Sequence, residues 1–247
     1  MPGDSVSIRP ATQPGLASPS DAGFLYRVFD MVIDVVAGDT HKEEIGLARK
    51  EYEERRGRVF EDEDLWENWT QAFLEWYALE RPATQSLGRE VGRTPAAEYC
   101  GDLVCGDLPV PEGERRDRMR TALRSWLTSY RSLFEIRALA AGRVELVDLL
   151  AGGQFSVAEK RAMAGVSVGD VAELRLVGFE GEVLFGRTFC FHPTGTRLPI
   201  MGHAERIRAA GGGRLDIVDY CANLRVRCER YRHASPARVY EAPTRDF

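Results

Sequence analysis

The stretch from Ser132 to His192 constrains the fold more than any other part of the chain, because its apolar residues keep a period of two between glycine turns. Phe134, Ile136 and Ala138 alternate with charged residues. This alternation is typical of a strand with one buried face and one solvated face. We therefore expect the centre of the chain to form a sheet.

Glycine-containing pairs separate the predicted strands. Ala141-Gly142, Gly152-Gly153 and Glu180-Gly181 each follow an apolar run, and such pairs favour tight turns. An open sheet of five short strands would leave edges exposed, whereas curling or closure protects them. The sequence predicts a small antiparallel β-barrel or a strongly curved sheet over residues 132–192.

Helical periodicity dominates both flanks of this region. Apolar residues recur every three or four positions in 24–36, 65–77, 119–130 and 217–231. Residues 1–20 are rich in Pro, Ser, Gly and Thr, which predicts a disordered tail. We predict an α+β fold with an N-terminal helical layer (21–131), the barrel, and two C-terminal helices in 193–247 that pack back on that layer. Residues from Pro236 onward are expected to fray.

Composition indicates a cytoplasmic, well-cored protein. Hydrophobic residues make up 44% of the chain and the mean hydropathy is −0.30. The longest apolar run, near residues 31–37, is interrupted by Asp34 and is too short to span a membrane, and residues 1–20 lack the apolar core of a signal peptide. Five scattered cysteines fit reduced thiols better than a disulfide framework.

Reactive motifs are absent from the sequence: it holds no Gly-x-Ser-x-Gly, no phosphate-binding loop and no dinucleotide fingerprint. Cys190 and His192 are the weak catalytic candidates, because residues two apart share a strand face and the barrel mouth would hold them as thiolate and base. The favoured interpretation is structural: Cys190 is a buried residue that fills space in the core, and His192 is the residue that ends its strand. Asp148 and Asp170 are expected to cap turns.

Neither a metal nor a cofactor is predicted. The acidic run 61–64 precedes an aromatic helix, where carboxylates favour the positive end of the helix dipole. Cys100 and Cys105 do not match a common zinc-ligand pair. The aromatic residues of that helix recur at helical spacing, which favours a buried helix face over a base-stacking platform.

Arg116, Arg120 and Arg124 are the predicted partner-binding residues, because they recur every fourth position and so share one helix face. The net charge of −5 argues against a phosphate backbone as their partner. The acidic stretch 51–67, in the same molecule or in a neighbouring one, is the favoured partner for these arginines.

Four segments carry a resemblance to known proteins: WENWTQAFLEWYALERP, SLFEIRAL, VELVDLLAGGQFSV and VGDVAELRLVGFEGEVLFG. Together they span about residues 60–192 and resemble a region of uncharacterised bacterial proteins, many of which carry a SEC-C-type zinc motif. The Cys-x-Cys pair of that motif does not occur in this chain. The resemblance implies a bacterial protein and no assigned activity.

Three functional hypotheses follow. The first is a non-catalytic cytosolic adaptor or regulatory protein that binds another protein. The second is a nucleic-acid binder that uses the arginine face together with the barrel. The third is a hydrolase-like enzyme centred on Cys190 and His192.

Overall fold

The computed structural model describes residues 21–83, 92–105, 110, 113, 115–160, 163–231 and 233–241. The helices are α1 (Asp21–Val36), α2 (Lys42–Arg56), α3 (Trp66–Leu79), α4 (Pro95–Cys105), α5 (Arg116–Leu127), α6 (Arg197–Ala209), α7 (Arg214–Arg230) and α8 (Pro236–Glu241). The strands are β1 (Tyr130–Ala140), β2 (Arg143–Asp148), β3 (Gln154–Ala158), β4 (Val171–Phe179) and β5 (Glu182–His192). The predicted α+β class is confirmed, whereas the predicted tail lies outside the described residues.

The five strands form one antiparallel sheet in the order β3-β2-β1-β4-β5. The sheet curls without closing, since β3 and β5 approach each other but share no ladder. Arg143 of β2 and Glu182 of β5 form an ion pair at 3.0 Å although two strands separate them in the sheet order. The curved-sheet form of the prediction is therefore the correct one.

The predicted glycine turns are present in both long hairpins. Gly142 joins β1 to β2 with a φ of 78°. Glu180 and Gly181 join β4 to β5 with φ values of 46° and 88°. Positive φ at both central positions is the geometry that matches the twist of paired strands.

One face of the sheet, here called the inner face, is apolar. All five strands contribute to it, and Phe134, Leu146, Phe155, Leu174 and Phe185 are its large buried members. The opposite, outer face is covered by helices. Three side chains of β1 on that face are Arg131, Leu133 and Glu135, all buried. The prediction that the charged face of this strand is solvated is therefore wrong for its first half, because helices cover it.

Two apolar clusters attach the helices to the outer face. The first joins α1–α5 to Val177, Phe179 and Leu184 of the last hairpin. The second joins α6–α8 to Leu133 and Val171. The aromatic face of α3 is core as predicted, with Trp69 and Trp76 buried. Among the described helices, none combines the length and apolar composition needed to cross a bilayer.

The C-terminal helices differ from expectation in number. A third helix, α8, follows the two predicted ones and buries Val239 and Tyr240. It begins at Pro236, whose fixed φ and missing N–H suit the first position of a helix. The prediction that this segment frays is wrong for the described residues up to Glu241.

The outer edge of β5 is held by side chains from three helices. The carbonyl of Phe185 accepts a hydrogen bond from Tyr26 of α1 at 3.0 Å, and the carbonyl of Phe189 accepts one from Asn68 of α3 at 2.6 Å. Farther along, Arg225 of α7 donates to the Phe191 carbonyl at 2.9 Å. Helices from the N-terminal and C-terminal parts of the chain thus cap the edge of β5 that does not pair with β4.

Candidate functional site

Cys190 and His192 share one face of β5, as predicted, but they lie on the outer face rather than at an open mouth. Both are buried. The Nδ1 atom of His192 lies 2.8 Å from the Tyr240 hydroxyl of α8, and the two rings meet edge to face. Residue 190 stands opposite Glu173 in the β4–β5 ladder.

The electrostatic setting of this pair favours the uncharged forms. Burial, reinforced by the charge of Glu173, raises the pKa of Cys190 to about 12. Burial lowers the pKa of His192 to about 4, against the opposing influence of Glu173. At neutral pH the thiol stays protonated, and a thiolate is the form that acts as nucleophile. A catalytic role for this pair stays a prediction.

The three candidate partner-binding arginines lie on α5. Arg124 is exposed, whereas Arg116 and Arg120 are half-buried. Arg120 lies 3.8 Å from Asp117 of the same helix. Arg120 and Arg124 also lie close enough to Cys100 of α4 to act on its pKa, which burial raises. Neighbouring side chains thus occupy part of this face.

The acidic stretch expected to meet those arginines has other partners in the fold. Glu51 accepts two hydrogen bonds from Arg81, at 2.7 and 2.9 Å. Glu63 accepts two from Arg230 of α7, at 2.9 and 3.0 Å. Among the described residues, no group of three or more His, Cys, Asp or Glu side chains is arranged to hold a metal ion.

Within the part of the chain that the structure describes, a network of charged side chains is buried between the outer face and the helices, and we call this network the ionic layer. Arg56 of α2 donates to Glu173 of β4 at 2.7 Å and to Asp219 of α7 at 2.8 Å. Arg131 of β1 donates to the same Glu173 at 2.9 Å and pairs bidentately with Glu80 at 2.7 and 2.9 Å. All of these groups are less than about one-seventh exposed.

The ionic layer continues along β4 to α3. Arg175 donates through Nε to Glu75 at 2.9 Å, through a terminal nitrogen to Ser129 at 3.1 Å, and also to Glu80. The second oxygen of Glu75 accepts the backbone N–H of Arg187 at 2.8 Å. Each carboxylate thus binds more than one donor, which is the condition under which buried ions are tolerated.

Pairing with arginine outweighs desolvation for two carboxylates of this layer, Glu80 and Glu173. Burial alone raises the pKa of Glu80, but Arg131 and Arg175 lower it to about 2. Burial likewise opposes ionisation of Glu173, and Arg56 and Arg131 hold its pKa below the usual range. Glu80 and Glu173 are therefore ionised at neutral pH. The ionic layer joins β1, β4, α2, α3 and α7.

Sequence inspection missed the ionic layer because its strand residues look like an ordinary solvated face. The available signal was the spacing of Glu173 and Arg175, which places opposite charges two residues apart on one strand face. A second signal was Asp219, which lies within the run Ile217–Cys221 that is otherwise apolar. The turn-capping prediction is confirmed: Asp148 accepts the N–H of Leu150 at 2.8 Å, and Asp170 accepts the N–H of Ser167 at 2.7 Å.

An ordered aromatic surface lies where the loop after α2 meets the end of α7. We call it the Phe60 patch, and it comprises Arg58, Phe60 and Arg230 together with Tyr231, which follows Arg230 in the chain at the end of α7. Phe60 is 45% exposed and Tyr231 is 59% exposed. The guanidinium groups of Arg58 and Arg230 lie 4.8 and 5.4 Å from the centre of the Phe60 ring.

Hydrogen bonds fix this loop to α7. Arg230 donates to the Arg58 carbonyl and to both oxygens of Glu63, and Glu63 accepts the N–H of Phe60 at 2.7 Å. The Arg230 guanidinium holds the pKa of Glu63 below its usual range. Val59 anchors the loop in the helical core. The exposed ring is therefore presented in one defined position.

Comparisons with known proteins give no relative from which a role is transferable. A scan against protein-family models, a search of curated proteins and a search of solved structures each returned no match to this chain.

Proposed function

We propose that this chain is a non-catalytic adaptor or regulatory protein that binds another protein through the Phe60 patch. The observation that carries the proposal is the exposed aromatic ring of Phe60 on an ordered loop, held between Arg58 and Arg230, with Tyr231 exposed at the adjoining end of α7. Aromatic residues and arginine are enriched in the cores of protein interfaces, where a few of them contribute most of the binding energy.

The order of the patch supports this role energetically. Immobilising a flexible side chain on binding costs about 0.5 to 1.5 kcal/mol, and that cost is avoided where the side chain is already fixed. Phe60 is stacked against two arginines, and its loop is tied to Glu63 before any partner arrives. The patch is thus pre-organised for contact.

The charges around the patch define the chemistry of the partner. Arg58 is 65% exposed, and its ion pair with Glu53 is long, at 3.9 Å. Glu61 and Asp62 follow Phe60 directly and are exposed. A complementary surface needs an apolar anchor for the aromatic rings, a carboxylate facing Arg58, and a basic residue facing the acidic pair.

The proposed setting is the bacterial cytoplasm. Cys100, Cys190, Cys221 and Cys228 are free thiols in the described part of the chain, and free thiols are typical of proteins in reducing compartments. The bacterial origin rests on the resemblance of residues 60–192 to uncharacterised bacterial proteins.

Capture by matched variants tests the proposal. Purified wild type, Phe60→Ser/Tyr231→Ser and a control, Val168→Ser/Leu198→Ser, are immobilised and exposed to native bacterial lysate. The control removes two exposed apolar side chains, 62% and 75% exposed, outside the patch. We expect a protein that wild type and control retain and that the patch variant retains at least about tenfold less, because hot-spot truncation costs about 2 kcal/mol or more.

A titration with the purified partner should then give a higher Kd for Phe60→Ser/Tyr231→Ser than for the wild type. Sedimentation of each variant alone shows whether a second copy of the chain is the partner. Equal retention by all three proteins, or no saturable binding by the wild type to any retained protein or to itself, would contradict the proposal.

A further inference from the structure

The C-terminal helix α8 depends on its contacts with the rest of the fold. It has six residues, and helices shorter than about 12 residues are marginal in water unless they pack against other elements. Val239 and Tyr240 are its buried side chains, and both belong to the apolar cluster that joins α6–α8 to the sheet. The position of α8 therefore depends mainly on the contacts of these two residues.

Two buried histidines hold Tyr240 at two points. The Nδ1 atom of His192, on β5, lies 2.8 Å from the Tyr240 hydroxyl. His203 of α6 donates from its Nε2 atom to the backbone carbonyl of Tyr240. The side chains of His192 and His203 are 5% and 2% exposed. We call this arrangement the tyrosine clasp, and it joins α8 to the sheet and to α6 through a single residue.

The hydrogen bonds of His203 define its neutral form. A carbonyl oxygen only accepts hydrogen bonds, so the Nε2 atom of His203 carries the hydrogen. Arg206 of the same helix donates to Nδ1, and a guanidinium group has no acceptor, so Nδ1 carries no hydrogen. A proton added at Nδ1 would remove this acceptor and place two positive charges side by side. The tyrosine clasp therefore requires a neutral His203.

His192 also fits the clasp best when it is uncharged. Its Nε2 atom is buried and has no hydrogen-bond partner within the described residues. In the protonated ring both nitrogens carry hydrogens, so Nε2–H would be an unsatisfied donor on a buried cation. The charged groups that act on His192 are Glu173 of β4, Arg225 of α7 and Arg56 of α2. Glu173 favours protonation, whereas the two guanidinium groups oppose it.

Both histidines bind a proton more weakly in the closed fold than in water. Burial lowers the pKa of His192 to about 4, although Glu173 opposes this shift. Burial, with the charge of Arg206, lowers the pKa of His203, although the hydrogen bond to the Tyr240 carbonyl opposes this shift. An imidazole released into water has a pKa of about 6.5. Closure of the clasp is therefore most stable above about pH 6.5 and weakens as the pH falls toward 4.

We propose that the tyrosine clasp is an acid-sensitive switch: acidification protonates His192 and His203 together, releases Tyr240 and detaches α8, while the sheet and helices α1–α7 stay folded. The released helix uncovers the apolar groove between α6 and α7 that Val239 and Tyr240 fill in the closed fold. Each titrating histidine raises the ratio of open to closed molecules by up to about tenfold per pH unit, and the pair by up to about a hundredfold. The switch does not depend on the Phe60 patch or its partner.

Amide hydrogen exchange at Val239 and Tyr240 measures the release of α8 in the full chain. Protection factors, corrected for the intrinsic exchange rate at each pH, are recorded by NMR from pH 7 to pH 5 and compared with those of Leu133 and Leu174 in the sheet. We expect lower protection at residues 239 and 240 than in the sheet at every pH, because α8 opens without global unfolding. Between pH 6 and pH 5 their protection should fall more than about tenfold, which one histidine alone cannot produce.

His192→Gln and His203→Gln are the diagnostic variants, and His233→Gln is the matched control. Glutamine keeps a donor and an acceptor for the neighbouring groups but does not titrate in this pH range. His233 is exposed and precedes α8 in the chain. Each buried variant should reduce the fall in protection to about tenfold or less, and the double variant should abolish it, while the control behaves like the wild type.

Three outcomes would overturn the proposal. The first is a fall in wild-type protection at residues 239 and 240 of about tenfold or less between pH 6 and pH 5. The second is protection there equal to that of Leu133 and Leu174, which would show that α8 opens only with the whole fold. The third is the same pH dependence in the double variant as in the control. The first two need only the wild type, so they stay decisive if a glutamine variant does not fold.

Discussion

The two faces of strands β1 and β4 are built from the same alternating pattern and are stabilised in different ways. The inner face buries Phe134, Ile136, Leu174 and Leu176 among apolar neighbours. The outer face buries the ionic layer under three helices. Both faces are buried. Alternation of apolar and charged residues therefore identifies the two faces of a strand, but it does not show that the charged face is exposed to solvent.

The two faces also contribute differently to fixing the positions of the helices on the sheet. Apolar contacts on the inner face tolerate small shifts, since dispersion and burial have little directionality. The bidentate pair between Arg131 and Glu80 requires one geometry. We infer that the inner face supplies most of the driving force, and that the ionic layer fixes where α2, α3 and α7 sit on the sheet.

The largest effect is expected from Arg131→Met. This change leaves Glu80, Glu173 and Asp219 with fewer donors inside the protein, and breaking one side of a buried ionic network costs about 3 to 5 kcal/mol. Urea unfolding at pH 7 measures the loss, with the exposed Arg137→Met on the same strand as control. The deficit should shrink near pH 3, because the depressed carboxyl groups of the wild type contribute stability above their unfolded pKa of about 4.5 and lose it as pH falls toward 2. A pH-independent deficit would show that packing, and not charge, is what Arg131 supplies.

A comparable truncation on the inner face is Leu174→Ala. The side chain is 2% exposed, and deleting a buried leucine costs about 2 to 5 kcal/mol through lost transfer energy and a cavity. No charge is involved, so the deficit measured by urea unfolding should be equal at pH 7 and pH 3. If it instead falls with pH as for Arg131→Met, the two faces do not act independently.

A smaller effect concerns His192 at the end of the outer face. Its folded pKa of about 4 lies below its unfolded value of 6.5, so the unfolded chain binds the extra proton first and stability falls as pH drops from 6.5 toward 4, by at most about 3 kcal/mol. His192→Gln should remove that part of the slope in urea midpoints recorded between pH 7 and pH 4. If the pH dependence of the urea midpoint is the same in His192→Gln as in the wild type, titratable groups other than His192 cause the loss of stability.

Much of the fold was predictable because its elements carry strong periodicity. The long helices α1, α3 and α7 and the hairpin β4–β5 follow directly from apolar spacing and glycine turns. The short helix α8 was missed, since six residues with two buried side chains leave little periodic signal. Its stability comes from tertiary contacts such as the hydrogen bond between Tyr240 and His192.

The candidate sites were less accessible to sequence reasoning. Glu75, Glu80 and Arg175 meet only after residues about a hundred positions apart are brought together, and no local pattern encodes that meeting. Gly186 inside a strand did carry a signal, because an isolated glycine in a strand often marks a bulge, and the β4–β5 register shifts there. The exposure of Phe60 depends on where α7 ends, which again is a tertiary property.

The capped edge of β5 has a consequence for how the chain avoids self-association while it folds. Three donors close the carbonyls of residues 185, 189 and 191, and they come from α1, α3 and α7. A chain emerging from the ribosome has made the first two helices before the strand exists, but it makes α7 only afterwards. For that interval the far end of β5 is an uncapped strand edge, and such edges recruit strands from other chains. Docking of α7 therefore does more than add a helix to the core, because it also closes the last uncapped carbonyl of this edge and so protects the strand from intermolecular pairing.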